Sequence, residues 1–411
     1  MKPIIFIPGI EATRLVDTNS FGFDTIWNAY DTLGTSLASK FTGPHIDEPL
    51  QLNPLYDVST SVIVGRDTVA SLPYQNTFAS LSKKIPDPIF PFGYDWRLSN
   101  AVNATRLKDF VQYLQRKLQI TTGFRFITHS MGGLIFSCYL RQISNYDHID
   151  KVILCAPPFM GSPYALVHMV KGSGGLRGFI SKILGQNDDI RKIVRTYPGL
   201  FEILPVYPGA LTYTNDQSPV DLLRLDNWQS NVCDDKDNAI IDLFPQRLAA
   251  LARFRWNDHQ DYTLLDVQLR KKIIVVAGID PKTNSNTLTH LPVIRQQSDI
   301  LNFLQLDGIN DKTNNQSGDG TVPKVSSTWF SDVLITIGVP KDGIVDQLGD
   351  NIDFHGMFLR DSRVQNIIAR YFKNDLYPAA VSPAGTLQPD PAVIGNLCYF
   401  AGGSLPILQR G

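Results

Sequence analysis

The sequence predicts an α/β fold in which a mostly parallel sheet is covered by helices on both faces. Short apolar runs typical of buried strands alternate with longer runs in which apolar residues recur every three or four positions. This alternation is the pattern of a parallel sheet whose strands are joined by helices. In addition, residues 124–133 have the pattern of a buried strand that turns sharply into a helix at Ser130.

The strands and helices of the predicted core follow one another through most of the chain. Residues 2–8 form a first strand and residues 88–94 an extended segment. Residues 107–118 carry apolar side chains at helical spacing, which predicts an amphipathic helix. The remaining core elements are the strand before Ser130, the helix at 134–143 and the strands at 151–156, 272–278 and 332–337.

Two long stretches interrupt this alternation. Residues 18–75, rich in Asn, Thr, Ser and Pro, form an insertion in a core that comprises residues 1–156 and 269–375. Residues 157–268 form a second insertion, which we interpret as a cap domain because insertions at the carboxyl ends of parallel strands lie over the site. Residues 376–411 are predicted to be a C-terminal tail.

Three side chains in the order Ser, Asp, His provide candidate chemistry. Ser130 lies at the strand-to-helix turn, where a strained backbone lifts a hydroxyl above the sheet. Asp319 lies in a glycine-rich loop, and His355 follows the last predicted strand. A serine nucleophile needs a base, and the base needs an acid that orients it. This chain order is that of the α/β hydrolases, so we predict an α/β-hydrolase fold with an inserted cap.

Alternatives remain open for each of these positions. The elbow departs from the G-x-S-x-G pattern, because Thr128 stands where the first glycine is expected, whereas Gly132 provides the second small residue. Asp319 precedes a glycine and could simply cap a turn. Asp280, at the end of a predicted strand, is therefore the rival acid. His129 is expected to point away from the site as a structural residue of the elbow.

Composition argues against several other functions. The chain has 38 Lys and Arg against 39 Asp and Glu, which gives no electrostatic basis for binding nucleic acid. Its four cysteines form no CxxC pair, so we predict neither a metal site nor a cofactor. The first apolar run is too short for a signal peptide, and no apolar run is long enough to span a membrane. By default, these features predict a cytoplasmic location.

Taken in order, the motifs resemble the lecithin:cholesterol acyltransferase-like family, which includes lysosomal phospholipase A2 and phospholipid:diacylglycerol acyltransferases. The resemblance implies that Ser130 is the nucleophile, Asp319 the orienting acid and His355 the base. It also implies an oxyanion hole formed by the backbone N–H groups of Ile10 and Met131. Met131 is expected on independent grounds, because it begins a helix. The matching pieces are residues 7–9, 92–97, the elbow around Ser130, 197–198, 203–205, 318–323 and His355.

The sequence therefore predicts a serine hydrolase or acyltransferase that acts on acyl esters such as phospholipids. Trp27 and Trp96 are candidates for lining an acyl pocket, although large aromatic residues are more often core residues. The apolar stripe at 176–184 packs into the cap or, alternatively, docks to a lipid surface. Two other functions stay open: a soluble carboxylesterase for small acyl esters, and a non-catalytic α/β-hydrolase scaffold that binds a lipid or a protein.

Overall fold

The structure of the protein is a computed structural model. It describes residues 2–13, 15–16, 25–27, 71–163, 165–166, 169, 195, 197–208, 210–213, 218–228, 238–279, 291–293, 318–340, 354–374 and 398–400. Two features predicted from the sequence, the rival acid Asp280 and the apolar stripe at 176–184, lie outside these residues.

Eleven strands occur in the described residues. They are β1 (Ile4–Ile7), β2 (Leu15–Val16), β3 (Thr25–Trp27), β4 (Ile89–Pro91), β5 (Phe124–His129), β6 (Ile149–Cys155), β7 (Leu211–Tyr213), β8 (Ile273–Ile279), β9 (Leu291–Val293), β10 (Ile335–Pro340) and β11 (Cys398–Phe400). Strands β2 and β3 form one small antiparallel pair, and β7 and β9 form a small parallel pair.

The other seven strands form one central sheet in the order β11-β10-β8-β6-β5-β1-β4. Neighbouring strands run parallel, except that β11 pairs antiparallel with β10. The mostly parallel sheet predicted from the alternation of strands and helices is thus confirmed. Strand β11 lies within the predicted C-terminal tail.

Helices accompany the strands in the described part of the chain. They are α1 (Ser71–Lys84), α2 (Asn100–Leu118), α3 (Gly132–Gln142), α4 (Pro198–Phe201), α5 (Asn238–Arg253), α6 (Val267–Arg270), α7 (Lys324–Ser327), α8 (Phe354–Met357) and α9 (Ser362–Phe372). None of the helices that the structure describes combines the length and apolar character needed to cross a bilayer.

Both faces of the central sheet are buried, because successive side chains of a strand point to opposite faces. In β1, Ile5 and Ile7 join a cluster that includes side chains of α2 and α3. Ile4 and Phe6 join a second cluster with side chains of α1 and α9. Residues of the predicted cap, including those of α4 and α5, contribute to the first cluster. The limits of the cap, the early insertion and the tail stay predictions.

The parallel strands end at one edge of the sheet, and their registers bring the loops that follow them side by side. Ile7 of β1 pairs with Thr128 of β5, and His129 pairs with Cys155 of β6. The loops after these strands therefore leave the sheet next to Ser130. Such an edge is the usual ligand-binding position in open α/β sheets.

Candidate active site

Ser130 occupies the sharp turn between β5 and α3. Its backbone has φ +53°, in the left-handed region that a residue with a side chain rarely adopts. Such a conformation costs about 1–3 kcal/mol and persists only where the surrounding structure enforces it. Here the backbone N–H of Ser130 donates to the carbonyl of Cys155 at 2.9 Å, which ties the turn to β6. The strained turn predicted from the sequence is present.

The two small positions of the elbow have different explanations in the structure. A Cβ on Gly132 would lie 2.6 Å from the carbonyl oxygen of Pro8, and closer still to that of Ile7, so only glycine permits this approach of α3 to the loop after β1. Thr128 is fully buried and faces the first turn of α3, where a Cβ on Gly133 would lie 3.4 Å from Thr128 Oγ1, an ordinary contact distance. Among the described residues, this buried hydroxyl has no hydrogen-bond partner.

The three predicted catalytic side chains lie together. The Nε2 atom of His355 is 2.8 Å from Ser130 Oγ, and its Nδ1 atom is 2.7 Å from Asp319 Oδ2. All three residues are buried. The distances are those of hydrogen bonds between a nucleophile, a base and an orienting acid. The structure thus brings together three residues that are up to 225 positions apart in the sequence.

Asp319 is held in place by its own loop. Its second carboxylate oxygen, Oδ1, accepts hydrogen bonds from the backbone N–H groups of Thr321, at 3.0 Å, and Val322, at 2.7 Å. The loop turns at Gly320, whose φ of +100° suits glycine. A Cβ on Gly278 in β8 would lie 2.5 Å from Asp319 Cβ, so the acid packs directly on the end of this strand. The same loop that could merely have capped a turn aims a carboxylate at His355.

The predicted oxyanion-hole residues lie on opposite sides of the elbow. Met131 directly precedes α3, where backbone N–H groups have no partner within the helix. Ile10 lies in the loop after β1. Among the described residues, neither of these two N–H groups donates a hydrogen bond to another residue. Their function in an oxyanion hole stays a prediction.

Tyrosine and tryptophan side chains hold the loop after β1. Tyr94 donates its hydroxyl to the carbonyl of Pro8 at 2.8 Å, and the indole N–H of Trp96 donates to the carbonyl of Thr13 at 3.3 Å. Trp96 is 4% exposed and contacts Tyr197 edge to face at 5.8 Å between ring centroids. It therefore supports the loop from within the core, and its assignment to an acyl pocket stays a prediction. Trp27 lies in β3, and its side chain is not among those the structure describes.

His129 turns from Ser130 toward other partners. Its Nδ1 atom is 2.8 Å from the hydroxyl of Tyr74, and its Nε2 atom is 3.0 Å from the carbonyl oxygen of His355. Burial, followed by the proximity of His355, lowers the pKa of His129 well below its ordinary value, so the ring is neutral. Sequence reasoning missed Tyr74, which lies near the end of the predicted early insertion, because one tyrosine in a helix carries no local signal of this contact.

The segment after Tyr197 joins the predicted cap to the start of α2. Glu202 accepts hydrogen bonds from Ser99 Oγ at 2.6 Å and from the N–H and side-chain amide of Asn100 at 2.6 and 2.8 Å. A carboxylate at this position also complements the positive end of the helix. Burial raises the pKa of Glu202 to about 7, although these hydrogen bonds and Arg255 oppose the shift. Two segments that are about 100 residues apart in the sequence thus meet here.

The chemistry of the site is that of side chains and backbone amides. In the part of the chain that the structure describes, no group of three or more His, Cys, Asp and Glu residues is arranged to hold a metal ion. The Ser130 hydroxyl, the imidazole and the carboxylate form a continuous hydrogen-bonded series. Such a series can transfer a proton from a hydroxyl as it attacks a carbonyl carbon.

Comparisons with known proteins agree with the family resemblance. A family model described as lecithin:cholesterol acyltransferase matches residues 84–233. Lecithin-cholesterol acyltransferase-like 4 of Arabidopsis thaliana is 23% identical over 232 residues, which cover 50% of this chain and 43% of that protein. Phospholipase A(1) LCAT3 of Arabidopsis thaliana is 37% identical over 83 residues, or 18% of this chain and 17% of that protein. The matches thus span less than half the length of either relative.

A solved structure resembles nearly the whole chain. It is described as the crystal structure of the Tle4–Tli4 complex, and the similarity covers 91% of this chain and 98% of that one with a TM-score of 0.58. Sequence identity is only 15%, so this likeness concerns the fold alone. Together with the parallel sheet and its elbow, it confirms the α/β-hydrolase fold.

Proposed function

Starting from the resemblance to the lecithin:cholesterol acyltransferase-like family, we propose that this protein is a serine hydrolase or acyltransferase of lipid esters. The observation that carries the proposal is the buried hydrogen-bonded series from Ser130 through His355 to Asp319, beside a strained elbow. The relatives supply the substrate class, since their names specify lecithin, cholesterol and phospholipids. Contact with a lipid surface is part of the proposal.

The reaction begins with the hydroxyl of Ser130. As Oγ attacks the carbonyl carbon of the ester, His355 Nε2 takes the hydroxyl proton. Asp319 accepts a hydrogen bond from the Nδ1–H of His355, which leaves Nε2 free to act as the base, and it stabilises the imidazolium. The carbonyl oxygen becomes an oxyanion, which the N–H groups of Met131 and Ile10 stabilise. His355 then returns the proton to the leaving alcohol, and an acyl-enzyme on Ser130 remains.

The second half of the reaction removes the acyl group. Water or an alcohol gives its proton to His355 and attacks the acyl carbon, and collapse of the second tetrahedral state restores Ser130. Water yields a free acid, whereas an alcohol yields a new ester. How well the folded protein excludes water decides between these products.

Replacement of Ser130 with alanine tests the proposal. We expect turnover to fall by roughly 10⁴- to 10⁶-fold, because the nucleophile is lost while the oxyanion hole and binding remain. Ser137→Ala is a matched control, because Ser137 is a buried serine seven residues further along, in α3, and its hydroxyl accepts a hydrogen bond from the Gln260 N–H. Hydrolysis that persists in folded Ser130→Ala would overturn the assignment.

A second variant tests the orienting acid. Asp319→Asn should lower turnover by about 10⁴-fold, since an amide no longer holds His355 in the useful tautomer. A fluorophosphonate probe adds an independent measurement, because it labels an activated serine whatever the natural substrate. Absence of labelling at Ser130 in the folded protein would instead favour the non-catalytic scaffold.

The substrate class requires a separate comparison. We would measure hydrolysis of 4-nitrophenyl esters of increasing acyl length, then of phosphatidylcholine vesicles with and without an added long-chain alcohol, and quantify free acid against transferred ester. Rates that increase on vesicles and long chains support a lipid substrate. Rates confined to short, monomeric esters would instead support the soluble carboxylesterase.

A further inference from the structure

A buried series of hydrogen bonds joins three segments that carry the proposed reaction: the loop after β1, the end of β5 and α8. The N–H of Gly9, in the loop that contains Ile10, donates to the hydroxyl of Tyr74 at 3.2 Å. That hydroxyl is 2.8 Å from Nδ1 of His129, and Nε2 of His129 is 3.0 Å from the carbonyl oxygen of His355. The series thus runs from the loop after β1, through the elbow, to the backbone of the base.

The direction of each hydrogen bond follows from the groups involved. A carbonyl oxygen only accepts, so Nε2 of His129 carries the proton toward His355. A neutral imidazole has one N–H, and Nδ1 must therefore accept from the hydroxyl of Tyr74. The tyrosine oxygen in turn accepts from the Gly9 N–H. The donors and acceptors of these three hydrogen bonds are thus mutually consistent, and Tyr74 and His129 are 2% and 3% exposed.

The position of this series makes it more than a core contact. His129 precedes Ser130 in the chain, and it holds the backbone of the same residue whose imidazole lies 2.8 Å from Ser130 Oγ. Two adjacent elbow residues therefore contact His355 at two separate atoms. At the other end, Tyr74 holds Gly9, whose neighbour Ile10 is assigned to the oxyanion hole.

We propose that Tyr74 and His129 are positioning residues that set the oxyanion loop and the backbone of His355 relative to Ser130. This inference rests on the proposed function. Tyr74 acts through its hydroxyl, because its ring is held separately by edge-to-face packing against Phe6 at 4.9 Å between centroids. Removing the hydroxyl should therefore leave the ring in place and release the two groups it joins.

Tyr74→Phe is the primary test, and Tyr139→Phe is its matched control. Tyr139 is also a buried tyrosine with a hydroxyl bonded to a histidine, His148, at 2.6 Å, but this pair belongs to α3 and the loop before β6. We expect Tyr74→Phe to lower kcat for 4-nitrophenyl butyrate and the rate of phosphonylation by a fluorophosphonate by roughly 10- to 100-fold, with KM changed less than about threefold. Tyr139→Phe should keep both rates within about twofold.

Variants of His129 test the donor and acceptor requirement. In His129→Gln, the amide can still accept from Tyr74 or donate to the carbonyl of His355, whereas His129→Leu can do neither. We expect His129→Gln to retain at least about fivefold more activity than His129→Leu when both are folded by circular dichroism. Equal rates in the two variants would contradict a hydrogen-bonding function.

The outcomes separate this inference from the proposed function. If Ser130→Ala abolishes activity but Tyr74→Phe matches Tyr139→Phe in kcat and in phosphonylation, the positioning proposal is wrong and the catalytic assignment stands. If Ser130→Ala retains activity, the proposed function itself fails. A lower melting temperature with unchanged rates in Tyr74→Phe would assign the tyrosine to stability alone and would also overturn the inference.

Discussion

Replacement of Gly132 with alanine would test whether the close approach of α3 to β1 sets the geometry of the site. The added methyl group would lie 2.6 Å from the carbonyl oxygen of Pro8 and closer to that of Ile7. Both atoms belong to the backbone, so no side-chain rotation can relieve the contact. The residues concerned directly precede Gly9 and Ile10, which belong to the proposed oxyanion loop.

The size of the effect follows from the distances. Ordinary van der Waals contact begins at 3.4 Å, so the methyl group and the Pro8 oxygen must separate by 0.8 Å, the difference from 2.6 Å, and the separation needed from the Ile7 oxygen is larger. Misplacement by about 1 Å at a reacting centre costs on the order of 10²-fold in rate. We therefore expect Gly132→Ala to lower kcat by roughly 100-fold, with a stability loss of about 1–3 kcal/mol from overpacking.

The neighbouring Gly133 offers a matched control in the same helical turn. A methyl group there would lie 2.9 Å from Cβ of Pro157 and 3.4 Å from Oγ1 of Thr128, so its crowding involves side-chain atoms. The methyl group would therefore crowd Pro157, in the segment after β6, and not the loop after β1. We expect Gly133→Ala to lose stability as well, but to lower kcat less than about tenfold.

Initial rates of 4-nitrophenyl butyrate hydrolysis and rates of fluorophosphonate labelling would be measured for both variants. Circular dichroism and thermal melts would show that the compared proteins are folded. If folded Gly132→Ala retained kcat within about threefold of the wild type, the approach of α3 to β1 would not control the reacting geometry. Equal losses in the two variants would likewise refute the reasoning.

Three other substitutions have expected outcomes. The folded-state pKa of Glu202, about 7, exceeds its ordinary value of 4.5, so the folded protein holds this proton more tightly than the unfolded chain does. The resulting stabilisation, roughly 3 kcal/mol, is fully present below about pH 4.5 and is lost as pH rises through 7. The melting temperature of Glu202→Gln relative to the wild type should rise from pH 5 to pH 8, and a constant difference would contradict this pKa. Thr128→Val should leave the free energy of unfolding unchanged or raise it by about 1 kcal/mol, because it removes a buried hydroxyl with no partner among the described residues. A decrease of that free energy in denaturant unfolding would mean that the hydroxyl is hydrogen-bonded. Arg125→Met should lower that free energy by about 2–4 kcal/mol, since Arg125 pairs with Asp87 and Asp150 at 2.8 and 2.9 Å. Its kcat should not change, because these pairs lie at the amino ends of the strands, and a fall above about threefold would refute that separation.

Much of the elbow could be predicted because its signals are local. A strand needs a buried apolar run, and α3 needs helical spacing, and both signals lie within 20 residues of Ser130. The order of Ser130, Asp319 and His355 added a topological signal, because parallel strands place the loops that follow them at one edge. The distances in the structure agree with that order, whereas the catalytic functions of these residues stay proposals.

The departure at Thr128 shows where local reasoning stops. The usual pattern places glycine there, and the sequence alone cannot show what takes its place. In the structure, the Thr128 side chain is fully buried against the first turn of α3, and its hydroxyl has no hydrogen-bond partner among the described residues. This environment includes the facing turn of a helix, so it is defined only when α3 is packed against β5.

The sequence by itself determined the alternation of strands and helices, the strained turn at Ser130 and the chain order of the candidate triad, because each depends on neighbouring residues or on the order of elements. Only the tertiary structure decided that Tyr74 and His129 join the loop at Gly9 to the backbone of His355, and that Glu202 caps α2. These contacts are hydrogen bonds between residues 55 to 226 positions apart. A single polar side chain leaves no periodic pattern in the sequence, and its partner is defined only when the elements that carry the two groups have packed.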